Sequence, residues 1–237
     1  MLYGLPNASH TQPGGIQPLD LLSTGPWFVG AAGLLIRAVD GQPLFPCHFA
    51  VNALHKSTLF FSEISEPERL ESSPLVEDLR QFLSFYRSLP YRSALATFVD
   101  TRGSRSLKDD ERTFWSVLRY LQRHSLGAVP DNYDAPDWHF AFDDEELYFN
   151  GHSPHYASRV SRRSSECLAI VIQTRFNLRQ VTGDIPYAHA VSDQIRLAVD
   201  RYDRIPRSPY LGPHFDWRQF WLLDDNGIDT RTCPLER

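Results

Sequence analysis

The sequence predicts a single-domain protein of the α/β or α+β class, with a central mixed β-sheet flanked by helices. Three observations predict it. At 237 residues the chain can bury about 70–75% of its unfolded surface in one core. Its residues are 42% hydrophobic and 22% charged, which excludes a disordered chain, a coiled coil and a collagen. Short apolar runs alternate with helical periodicity in the order β-β-α-β-α-β-β-β-α, with no internal repeat.

Residues 1–26 are rich in Pro, Gly, Ser and Asn and read as an irregular N-terminal arm; residues 27–237 read as one domain. Trp27 opens an apolar run that contains Gly30 and Gly33 and stops at Arg37. It is about half the ~20 residues that a spanning helix needs. No basic leader precedes it, so the expectation is a cytoplasmic protein without a membrane segment. Residues 49–54, after Cys47 and His48, are predicted as a strand. Residues 58–64 are a second, and His55-Lys56-Ser57 is the turn between them. Leu75, Val76, Leu79, Phe82, Leu83 and Tyr86 recur at helical spacing, with Pro74 at the start and Pro90 beyond the end. Residues 94–99 suit a buried strand. Phe114, Val117, Leu118 and Leu121 share a face of a second helix, whose acidic first turn complements its dipole. Residues 130–136 form a loop. Residues 138–142 and 147–149 flank the acidic turn 143–146 as a hairpin. Residues 168–173 are a further strand, and Val191, Ile195, Ala198 and Tyr202 mark a third helix. From Pro206 onward the tail shows little periodicity.

Lys+Arg 24 against Asp+Glu 29 leaves a net charge of −5, which argues against a dedicated nucleic-acid binder. Cys47, Cys167 and Cys233 include no CxxC pair, so neither a disulfide framework nor a structural zinc site is expected. P-loop, GxGxxG, GxSxG and HExxH signals are absent.

The densest polar constellation is residues 151–163, with His152, His155, Tyr156, Arg159, Arg162 and Arg163. It lies between two predicted strands, where loops commonly carry function. Clustered arginines hold carboxylates or phosphates by bidentate bonding. The plainer reading is a solvated loop whose arginines pair with the acidic turn 143–146, and the residues alone leave both open. His48 reads as a half-buried strand histidine or a metal ligand, and Cys47 as a buried inert thiol or a haem thiolate. His139 reads as packing, and His124, His189 and His214 as surface or core. Residues 224–227 read as an ordinary turn.

A wider resemblance comes from ordered blocks. Pro46-Cys47-His48-Phe49-Ala50, Trp138-His139-Phe140-Ala141-Phe142, Ser153-Pro154-His155 with Arg159-Val160-Ser161-Arg162, and Gln173-Thr174-Arg175 come first. Pro209-Tyr210-Leu211-Gly212, Trp217-Arg218-Gln219-Phe220 and Leu223-Asp224-Asp225-Asn226 follow. From Phe45 to the C-terminus this series resembles the YqcI/YcgG family, whose characterised members are haem-dependent N-hydroxylases of natural-product biosynthesis. The family's usual Gln-Pro-Arg is Gln173-Thr174-Arg175 here, and its Lys-Gln-Tyr is Arg218-Gln219-Phe220.

The resemblance implies haem b, O₂ and an external reductant, acting on a guanidine or amine nitrogen of an amino-acid-like molecule. It implies His155 as the iron ligand. The family histidine often stands at the position of Tyr156, so Tyr156 and His48 stay open as alternatives. Arg159, Arg162, Arg163 and Arg175 would hold haem propionates or a substrate carboxylate. Asp224 and Asp225 would receive a cationic substrate. An electron-donor protein and a second copy of the chain are the partners to look for. The alternatives are a haem-binding or sensing protein without turnover, and an interaction protein that keeps the family fold without haem.

Overall fold

The computed structural model describes residues 1–5, 17–18, 25–89, 92–135, 138–182, 187–211 and 217–236; the side chains of 17–18, 179–182 and 187–192 fall outside the description. Most of the N-terminal arm, Pro90, Pro136, His214 and the side chains of His189 and Val191 therefore lie outside it.

One seven-stranded mixed sheet organises the chain. Its strands are β1 (Tyr3–Gly4), β2 (Gln17–Pro18), β3 (Leu59–Ile64), β4 (Ala94–Val99), β5 (Phe140–Phe142), β6 (Glu145–His152) and β7 (Leu168–Thr174), in the spatial order β2-β1-β3-β4-β7-β6-β5. β3 and β4 are parallel. β7 runs antiparallel to β4, and β6 antiparallel to β7. β1 and β2 fall within the stretch read as an irregular arm.

Alternation along the strands divides the core into two faces. Leu95 and Val99 of β4 join Leu168, Ile170 and Ile172 of β7 on one face. Helices α3 (Leu75–Phe85) and α4 (Leu107–His124) pack there. Ala94, Ala96 and Phe98 join Ala169 on the other face, against α1 (Pro26–Asp40) and α2 (His48–His55). β4 is buried at all of its residues, as a strand covered on both faces must be. The Ser106 hydroxyl caps α4 by accepting the Asp109 N–H at 3.2 Å.

Three elements differ from expectation. Residues 49–54 are helical, not a strand: they lie in α2, which buries Ala53 and Leu54 in the cluster it shares with α1 and Phe49 in the other cluster. His55-Lys56-Ser57 ends that helix. Ser57 is left-handed (φ 53), Ser57 N–H donates to Leu54 O at 3.1 Å and Thr58 N–H to Ala53 O at 2.8 Å, the pattern of a Schellman cap. The apolar run from Trp27 is α1, which buries Phe28, Ala31, Ala32, Leu35 and Val39; two glycines obscured a helical spacing. β7 also continues directly into α5 (Arg175–Thr182), before α6 (Tyr187–Tyr202). The hairpin forms with other bounds than expected: Trp138 and His139 precede β5, Glu145 and Glu146 belong to β6, and Asp143 and Asp144, both at positive φ, make a two-residue turn.

Candidate functional site

The constellation 151–163 leaves the end of β6. At Gly151 the tail crosses the strand: Gly151 N–H donates to Phe220 O at 2.8 Å. A Cβ on Gly151 would lie 2.4 Å from the Trp221 ring, so this crossing requires glycine. The loop closes on itself where Ser153 N–H donates to Arg162 O at 2.9 Å. The Ser153 hydroxyl donates to Asp110 Oδ2 at 2.5 Å, and the carboxylate of Asp110 is fully buried at the start of α4.

The second half of the loop is latched to the tail. Asp224 accepts the N–H groups of Ala157, Ser158 and Arg159 at 2.8, 2.9 and 3.0 Å. Arg159, with no exposed surface, donates through Nε to Leu223 O and through Nη2 to Asp225 O and Asn226 Oδ1. Burial draws its pKa down, partly opposed by the Asp203 carboxylate. Asp203, at the end of α6, accepts the Ser161 N–H and hydroxyl at 2.7 and 3.0 Å. Tyr156 is fully buried; its hydroxyl donates to Leu222 O at 2.7 Å, and desolvation pushes its pKa up.

The predicted site residues thus fall into different places. Tyr156, Arg159, Asp224 and Asp225 come together in the latch. His155 is half-buried at the rim; its N–H donates to Ser153 Oγ at 3.1 Å, and its ring has no polar partner among the described residues. Arg163 is exposed. Arg175 lies at the opposite end of β6 and β7, 3.6 Å from Glu146. Arg162 is buried and donates to Gly151 O at 3.3 Å and Gln219 O at 3.2 Å. The acidic turn engages Arg80 through Asp143 and Arg87 through Glu145, while the arginines of the loop turn to the tail and to main-chain carbonyls. His48 is exposed in the first turn of α2. Burial raises the pKa of the Cys47 thiol, which favours the neutral form.

Sequence reasoning did not single out His152 on its own. The residue is 6% exposed, its Nδ1 lies 2.9 Å from Ser164 Oγ, and desolvation, then the Arg162 charge, lower its pKa to about 3. The imidazole is therefore neutral at physiological pH. Strand alternation could have placed it inside, because Gly151 beside it faces α4 and Trp221.

The family model for YqcI/YcgG matches residues 35–236. The chain belongs to the YqcI/YcgG family. A relative from Streptomyces lavendulae, named "Putative N(omega)-hydroxy-L-arginine synthase DcsA", is 25% identical over 208 residues, 82% of this chain and 78% of the relative. The Bacillus subtilis (strain 168) protein YqcI is 24% identical over 213 residues, 83% of this chain and 82% of the relative. No solved structure matches. For a YqcI/YcgG protein the latch explains the paired blocks of the sequence: the Arg159–Arg162 block and the Leu223–Asn226 block are the two halves of one hydrogen-bonded unit. No described helix is long and apolar enough to cross a membrane.

Proposed function

We propose that this chain is a haem-dependent N-hydroxylase acting on a guanidine or amine nitrogen of an amino-acid-like small molecule. The observation that carries the reading is the match, along most of both chains, to a relative named "Putative N(omega)-hydroxy-L-arginine synthase DcsA". The balanced reaction takes R–NH₂, O₂, two electrons from an external reductant and two protons to R–NHOH and water.

The donor set of the loop fits haem b. Among the described residues no three His, Cys, Asp or Glu side chains converge as a cage, but a haem iron needs only one protein ligand. His152 and His155 offer imidazoles. Tyr156 is committed to Leu222 O and protonated. Arg162 brings a buried cation with no carboxylate in ion-pair range among the described residues, and Arg163 an exposed one; either would hold a propionate. When bound, haem supplies the activation of O₂. The chain supplies the rest. Trp217, Phe220 and Trp221, all buried, exclude water beside the loop. Asp224 and Arg159 fix the 157–159 turn. The exposed carboxylate of Asp225 can meet a cationic guanidine.

The test is expression with a haem precursor, followed by absorption spectra and turnover with a reductant. A Soret band that moves on reduction and on CO, and a product one oxygen heavier from L-arginine or another guanidine or amine, are expected. A protein that takes up no haem, even with added hemin, overturns the reading.

A further inference from the structure

We infer that His152, rather than His155, presents the imidazole that ligates the iron; the inference rests on the haem reading above. Strand geometry sets its direction. Gly151 faces α4 and the tail, since a Cβ there would strike Trp221 and lie 3.1 Å from Phe114. His152 and Asn150 therefore point to the opposite face of β6. Their register partners there are Ala169 and Val171 of β7. Asn150 and Val171 keep partial exposure although β6 and β7 both lie inside the sheet. The described helices thus leave this part of the face incompletely covered, beside His152.

The ring itself is prepared for ligation. Nδ1 is 2.9 Å from the Ser164 hydroxyl, and Nε2 has no polar partner among the described residues. An Nδ1–H donated to Ser164 leaves the Nε2 lone pair for a metal, the arrangement by which outer partners fix a histidine ligand's tautomer. The neighbouring Arg162 guanidinium donates to Gly151 O and Gln219 O and also bonds the Tyr148 hydroxyl, with no carboxylate in ion-pair range among the described residues, which leaves it suited to a propionate. His155 has none of this support: its ring lies at the rim, without a polar partner among the described residues to orient it.

The experiment compares wild type, His152→Ala, His155→Ala and Ser164→Ala, each purified from cells supplied with haem precursor. Haem content, the Soret position and the ferric electron paramagnetic resonance spectrum are read, with circular dichroism to check folding. The expected result is that His155→Ala keeps the wild-type spectrum and haem content. His152→Ala should lose the imidazole signature, with recovery on adding free imidazole. Ser164→Ala, its folding checked in the same way, should weaken haem affinity about 10–100-fold. An imidazole signature retained in His152→Ala, or lost in His155→Ala alone, overturns the assignment while leaving the haem reading intact. If His152→Ala does not fold, unchanged haem affinity in Ser164→Ala overturns it. A wild-type protein without haem overturns both.

Discussion

The main-chain N–H of Arg159 donates to Asp224 Oδ1 at 3.0 Å, and the guanidinium of the same arginine returns to the segment that carries Asp224, reaching Asp225 O at 2.9 Å. Two segments far apart in the chain therefore satisfy each other's polar groups. Neither can be moved without leaving buried donors or acceptors unpaired.

Arg159→Lys should destabilise the fold by roughly 2–4 kcal/mol. Lysine cannot reproduce the guanidinium fork, and the tail carbonyls it abandons carry the desolvation cost. Asp224→Ala should cost a similar amount, roughly 2–4 kcal/mol, by orphaning three N–H groups. Urea unfolding measures both. If Asp224→Ala unfolds at the wild-type midpoint, the latch is not a structural unit.

Gly151→Ala should destabilise by about 1–3 kcal/mol through overpacking against Trp221. The thermal unfolding midpoint checks it. The double variant with Trp221→Leu should lose less than the two single changes added together, because removing the indole relieves the clash.

Asp225→Asn should raise KM for a cationic substrate about 2–5-fold, the worth of one solvent-exposed ion pair, with kcat and the unfolding midpoint little changed. Its exposure and its position beside the latch motivate the expectation. Steady-state kinetics against a neutral substrate analogue separates charge recognition from a structural effect.

Cys167 should resist alkylation in the native state. Burial pushes its thiol up to about 12, with the Ser165 hydroxyl opposing in part, and the thiolate is the reactive form. Iodoacetamide at pH 8 should modify it only in denaturant, as read by mass spectrometry. The folded pKa is raised above the unfolded one. The native thiol therefore stays protonated while the unfolded one ionises, and this group's contribution to stability is lost as pH rises from about 9 toward 12.

Much of the sheet was legible from local pattern. The runs at 58–64, 94–99 and 168–173 and the helices at 75–86 and around Phe114 have clear periods, and each became the expected element. Residues 49–54 misled because a short apolar run satisfies strand and helix alike; the cap at Ser57 and the burial of Phe49, Ala53 and Leu54 resolve it. α1 was hidden by Gly30 and Gly33. In the loop, residue type alone could not separate the arginines. Arg159 is buried by Leu223 and Asn226, which lie more than sixty positions away, and Arg163 is exposed four positions later.

The sequence by itself determined the class of fold, the order of most elements and the family, because these depend on local periodicity and on ordered blocks of residues. The tertiary structure decided what each polar residue of those blocks does. Whether Asp224 meets a ligand or a main-chain N–H, and whether His152 or His155 is desolvated, depends on which distant segment packs over it. That segment here is the tail at Trp217–Asn226, whose indole at Trp221 requires glycine at position 151 and so sets His152 on the other face of the strand.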